Sequence, residues 1–207
     1  TLSWGETFVL VKEGLNHAQP FTFGAYRFLV ATFCSLILVR SNLFKINRTE
    51  CINAIICGFF LFIGYAFQNF GLWENQYYSA TTPSKSAFIT SISIIMVPLM
   101  LVIAGLQKVS VKLWTAILIA TIGLYFLLDP TGSGVNLGDI FTFGCAISFA
   151  IHIILQDRYV KKEINVTRFF LVQVAAVTVF SFLCSFIFDT HVYRWLCWIN
   201  NMWNKNF

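Results

Sequence analysis

Residues 80–98 read ATTPSKSAFITSISIIMVP, and whether this stretch lies in water or in lipid decides the fold. From Ala87 it runs apolar to Leu106, yet it opens on Pro83 and Lys85. It also carries hydroxyls at Ser84, Ser86, Thr90, Ser91 and Ser93 and meets a second proline at Pro98. A helix needs roughly 20 mainly apolar residues, at about 1.5 Å each, to cross a bilayer. Ala87–Leu106 meets that length and is predicted to be a membrane helix entered through a polar loop. Ser86, Thr90 and Ser93 fall at i, i+4 and i+7, one polar stripe on a helix whose other faces are apolar. Such hydroxyls either bond back to the helix backbone, which makes them tolerable in lipid, or line a solute pathway. Pro98 frees the carbonyl of Ile94 and predicts a helix kink near mid-span, whether for gating or for packing alone.

The same ruler applied outward gives seven membrane segments. A partial span runs from Leu2 to about Lys12, and full spans follow at about 21–39, 52–73, 87–106, 113–128, 140–156 and 169–188. Of the 207 residues, 57% are hydrophobic and only 11% charged, and Phe alone fills 23 positions. A soluble domain carries about 25% charged residues, so one water-soluble core could not hide this surface. Runs such as FLVATFCSLILV at 28–39 do not alternate, which excludes the strands of a β-barrel. The fold class predicted is therefore an all-α membrane protein with its first helix incomplete.

Charge placement orients the bundle. Arg40, Lys45, Arg48, Lys108, Lys112, Arg158, Lys161, Lys162 and Arg168 lie in three loops on one side, nine of the fourteen basic residues. The opposite loops EGLNHAQP and DPTGSGVNLGD hold none. Basic loops stay in the cytoplasm, so the net charge of +5 is an orientation signal and not a nucleic-acid surface. The sequons at Asn47 and Asn165 then fall on the cytoplasmic side, where neither is used. Six cysteines without a CxxC pair read as small apolar filler, with no metal site and no cofactor. HExxH, GxSxG, P-loop and paired-carboxylate patterns are all missing, which argues against an enzyme.

Several stretches in order resemble the EamA-type repeat of the drug/metabolite transporter superfamily. They are WGETFVLVKEGL (4–15), PFTFGAYRF (20–28), FLFIGYAFQNFGL (60–72), SATTPSKSAFITSISIIMVPLM (79–100) and GDIFTFGCAISFAIHIILQDRY (138–159). The resemblance implies ten helices in two five-helix repeats of inverted topology. Residues 1–128 would be the first repeat, with its first helix clipped, and 138–188 the start of a second. A faint echo, GETF at 5–8 against AISF at 146–149, agrees with a repeat. Residues 189–207 form an atypical tail, read as the end of a truncated or frame-shifted frame or as an interfacial anchor through Trp195, Trp198 and Met202. The function that the resemblance implies is transport of a small metabolite or drug-like solute across the bacterial inner membrane by alternating access, with efflux as the direction. A non-transporting remnant and a membrane scaffold packed through small-residue faces are the alternatives.

Ionisable groups inside a span cost roughly 2.5–3.5 kcal/mol on insertion scales, so each is a pathway candidate. Glu6 lies at mid-depth in the first segment, where it could carry a coupled proton, bind a cation, or sit in a wet crevice. Arg27 lies about two turns into its helix. With Lys12 and Lys85 it would make a basic vestibule for anionic or zwitterionic solutes, although those two lysines lie near helix ends and suit snorkelling. Gly64, Gln68 and Gly71 share one face of the third span, where glycines admit a close neighbour and the amide reads a cavity. Trp4 and Tyr65 could stack on a flat solute or pack in lipid, and His152 reads as a satisfied polar residue or a proton relay. A homodimer completing the fold is a further expectation, with the bilayer and a small solute, proton-coupled or not, as partners.

Overall fold

Long apolar runs bounded by polar, capped turns become helices here, and every regular element among the described residues is helical. The computed structural model describes residues 2–39, 47–75, 78–105, 110–128, 135–161 and 165–189, and the side chains at 2–5, 113, 120, 124, 127 and 128 are not among them. The elements are α1 (Leu2–Leu15), α2 (Pro20–Val39), α3 (Arg48–Leu72), α4 (Pro83–Ser91), α5 (Ser93–Ile103), α6 (Val111–Leu128), α7 (Leu137–Val160) and α8 (Val166–Cys184). A π-helical turn, Ser185–Asp189, continues α8.

Among the described residues five helical stretches are long and apolar enough to cross a bilayer: Pro20–Val39, Arg48–Leu72, Pro83–Ile103, Leu137–Val160 and Val166–Asp189. On α2, Val30, Phe33 and Leu38 stand 63%, 65% and 77% exposed, and on α6 Phe126 is 75% exposed. Apolar faces this continuous need lipid outside them, and the chain is an all-α, multi-pass membrane protein.

Several helices begin earlier than hydropathy suggests, because capping residues are polar. α4 starts at Pro83, with the Thr82 hydroxyl accepting from Lys85 N–H at 3.2 Å. α7 starts at Leu137 through a reciprocal capping box between Asn136 and Asp139. Asn165, the second sequon, caps α8 by accepting from Arg168 N–H at 3.1 Å.

From Pro83 onward the stretch quoted first lies in one 21-residue span, Pro83–Ile103, whose regular hydrogen bonding is interrupted once. The interruption falls at Ile92, whose N–H turns back to the carbonyls of Ile89 and Thr90, while Pro98 lies inside α5. Ser86, Thr90 and Ser93 are all buried. Neither Ser86 Oγ nor Thr90 Oγ1 bonds back to the backbone, whereas the exposed Ser91 does so to Ala87 at 2.7 Å.

Contacts fix the helix directions. Gly71 meets Gly138 and Thr142, while Cys57 meets His152, so α3 and α7 run antiparallel. Thr22 meets Asp189 and Thr32 meets Thr178, so α2 and α8 are antiparallel as well. Arg48, Arg158, Lys161 and Arg168 therefore gather at one end of the bundle, and Lys12, Lys85 and Asp139 at the other.

Candidate functional site

α1 presents Thr7, Phe8 and Val11 to one side of the bundle, α2 presents Arg27, α3 Tyr65 and Gln68, and α7 Phe149. Together these side chains line a cavity of about 100 Å³. Gly64 makes the site possible, since a Cβ there would collide with the Phe149 ring. The expected face Gly64–Gln68–Gly71 is thus the surface that α3 turns toward α7, with Gln68 on the cavity wall.

Arg27 is the charge in this cavity. Its guanidinium carbon lies 4.9 Å from the centre of the Tyr65 ring and 5.9 Å from that of Phe28. Phe28 and Phe149 in turn pack edge-on against Tyr65, at 4.7 and 5.1 Å between centroids. The aromatic faces supply part of the stabilisation a cation needs away from water. No described carboxylate lies within ion-pair distance of Arg27, and its buried Nη1 has no hydrogen-bond partner. Among the described residues no acidic side chain lines the cavity.

The remaining sequence candidates distribute unevenly. Glu6 is exposed and off the cavity wall, on the opposite side of α1 from Phe8 and Val11. The Trp4 side chain and the 190–207 tail lie outside the described residues. Ser86, Thr90 and Ser93 are buried on the broken span, which packs against α7, but they are not on this cavity's wall. His152 is a cross-helix link. Its Nδ1 lies 3.1 Å from the Cys57 carbonyl, which can only accept, so that nitrogen carries the proton. Its Nε2 then accepts from Gln173 Nε2 at 3.2 Å, joining α3, α7 and α8.

Lys12 and Lys85, expected to snorkel, are drawn into a polar joint instead. Lys85 Nζ lies 3.9 Å from Asp139 Oδ2, with both side chains largely buried. Thr81 Oγ1 donates to Asp139 Oδ1 at 2.5 Å, and Thr81 N–H donates to the Gly71 carbonyl at 2.8 Å. Lys12 Nζ reaches the Thr81 carbonyl at 3.5 Å and Glu74 at 3.8 Å. Tyr78 completes the strap, its hydroxyl donating to the Phe70 carbonyl at 2.6 Å. Burial pushes that phenol above its usual range, partly opposed by its hydrogen bond with Asn75. Residues 78–82 are thereby tied across α1, α3, α4 and α7 at the end away from the basic loops.

Sequence reasoning missed Asp139 and Thr81, as well as two further ties. Glu50 is buried 3.6 Å from Arg168 at the basic end. Asp189 accepts from the Thr22 N–H at 2.8 Å and hydroxyl at 2.7 Å, satisfying the first turn of α2. Only Asp139 had a local signal, the Asn-x-x-Asp spacing of a capping box.

The profile of the EamA-like transporter family matches residues 1–129. A protein of Archaeoglobus fulgidus named "Uncharacterized transporter" is 31% identical over 158 residues, 76% of this chain and 46% of the relative. The chain thus spans about half the length of the curated relative it matches. No solved structure matches it.

Proposed function

The chain belongs to the EamA-like transporter family, and from that premise we propose that the full-length protein moves a small metabolite or drug-like solute across the bacterial inner membrane. Alternating access is the mechanism that fits a pathway between repeats, with the basic loops cytoplasmic and export the direction. The observation that carries this reading is the cavity at Arg27 and Gln68, a polar pocket within otherwise apolar spans. Two features support it. The span Pro83–Ile103 tightens to a 3₁₀-type turn at Ile92, whose N–H bonds the Ile89 carbonyl, and such mid-helix turns often mark hinges. The strap at Thr81 and Asp139 lies across the bundle at the non-cytoplasmic end, where an outward gate would have to part.

The test is flux. Full-length protein in liposomes loaded with a defined mixture of amino acids, organic acids and sugars should deplete at least one of them faster than protein-free liposomes. No flux of any solute, under pH gradients of either sign, removes the transport reading. The same assay on Glu6→Gln decides proton coupling through that residue, because a variant keeping pH-dependent transport takes Glu6 out of the mechanism.

A further inference from the structure

We infer that the cavity is a binding site for the carboxylate of a small monoanionic solute, held by the Arg27 guanidinium. The inference rests on the transport reading for its role in the protein, but its chemistry stands on the site alone. Arg27 lines a cavity of about 100 Å³, and its Nη1 is buried without a hydrogen-bond partner. A charged donor left unmatched among apolar helices is expensive, and an anion in the cavity would match it. Guanidinium and carboxylate pair in a planar, two-point geometry, which gives orientation as well as strength.

Size and charge balance narrow the class. A 150 Å³ apolar cavity holds a benzene molecule, so about 100 Å³ takes a carboxylate group bearing one or two further carbons and not a bulky ring. A longer solute would have to leave its remainder outside. Among the described residues Arg27 is the only cation on the pocket wall, beside Phe8, Val11, Tyr65 and Phe149. A single carboxylate neutralises it. A phosphate monoester, carrying about −1.5 to −2 at neutral pH, would leave excess negative charge against aromatic walls. Gln68, also on the wall, is an amide that the rest of the head can meet.

Equilibrium binding to purified full-length protein in nanodiscs of zwitterionic lipid tests this. Propionate is compared with propionamide, its near-isosteric neutral amide, and with methyl phosphate. Propionate should protect the protein against heat unfolding, and the amide should bind at least about tenfold more weakly. Arg27→Gln should abolish the preference for acid over amide, and Arg27→Lys should keep part of it. Equal binding of acid and amide to the unaltered protein overturns the assignment, whatever the variants do. Tighter binding of methyl phosphate overturns the carboxylate class. If propionate binds as expected but liposomes show no flux, the transport reading fails and the site stands. If solutes move but no carboxylate binds, the site fails and transport stands.

Discussion

The cavity around Arg27 and the joint around Asp139 set opposite charges into one helix bundle and surround them differently. Asp139 accepts from Thr81 Oγ1 and from Asn136 N–H and faces Lys85, so its charge is met by three residues. Among the described residues Arg27 meets the faces of aromatic rings, and its buried Nη1 has no hydrogen-bond partner. The walls differ in kind as well. Gly138 is pressed against the backbone of residues 71, 80 and 81, whereas Gly64 faces the ring of Phe149. A charge that the protein satisfies itself, within walls of backbone, holds the fold together. A charge left for something else, within walls of side chains, is what a binding site requires.

Removing the satisfied charge should have the largest effect. Asp139→Ala deletes the acceptor for Thr81 and half of the α7 capping box, while Lys85 loses its carboxylate. Hydrogen bonds to charged groups contribute about 1.5–3 kcal/mol and a helix cap about 0.5–2, so a loss of about 2–4 kcal/mol is expected. Reversible unfolding of the protein in mixed micelles measures it. Asp139→Asn keeps an oxygen for Thr81 and should lose less. A loss below about 0.5 kcal/mol for the alanine variant would mean that the joint is not structural.

One methyl group placed in each region separates the walls next. A Cβ on residue 138 would lie 2.7 Å from the Gly71 carbonyl oxygen and 2.9 Å from the Ala80 carbonyl carbon, and neither can swing aside. Overpacking of this kind costs about 1–3 kcal/mol, and Gly138→Ala should show it in the same unfolding assay. At Gly64 the obstacle is a ring bordering a cavity, and alanine also gains up to about 1 kcal/mol in helix propensity. Gly64→Ala should therefore be within about 1 kcal/mol of neutral, yet weaken propionate binding by pushing Phe149 into the pocket. Equal destabilisation by the two substitutions would erase the distinction between the walls.

These regions also mark how far sequence could reach. The helical membrane class followed from hydropathy, and the shared end of Arg48, Arg158, Lys161 and Arg168 agrees with charge placement, because lipid imposes both over long stretches. The face of Gly64, Gln68 and Gly71 was legible because helical spacing is local. Arg27 stood out as a charge two turns inside a span, and the structure puts it on the cavity wall with Tyr65 and Gln68. Which helix lies opposite was not legible, and so Phe149, the phenylalanine that closes the site, did not stand out as one of 23. Asp139 was read as loop because hydropathy ignores caps. Lys85 was read as snorkelling because its partner lies 54 residues away, at a distance only the fold can close. Glu6 shows the converse. Its depth along α1 could be counted, but the side on which it emerges depends on how α1 packs.

The smallest effect should come from the unsatisfied charge, and it is the sharpest test of the contrast. Arg27→Met keeps an unbranched apolar stem beside Tyr65 and deletes a guanidinium that has no ion pair among the described residues. The lost cation–aromatic attraction is worth about 0.5–2 kcal/mol. Against it stands relief from holding an arginine among apolar spans, about 2.5–3.5 kcal/mol at the centre of a helix and less where rings or water reach the charge. The two terms oppose each other, so stability in solute-free micelles should change by no more than about 1 kcal/mol, with an increase as acceptable as a decrease. Propionate binding should nevertheless be lost, because the stem is retained while the charge is not. A fall in stability comparable to that of Asp139→Ala would show that Arg27 is matched within the protein after all. The cavity would then be a packing defect beside a structural arginine, and the contrast between the two regions would collapse.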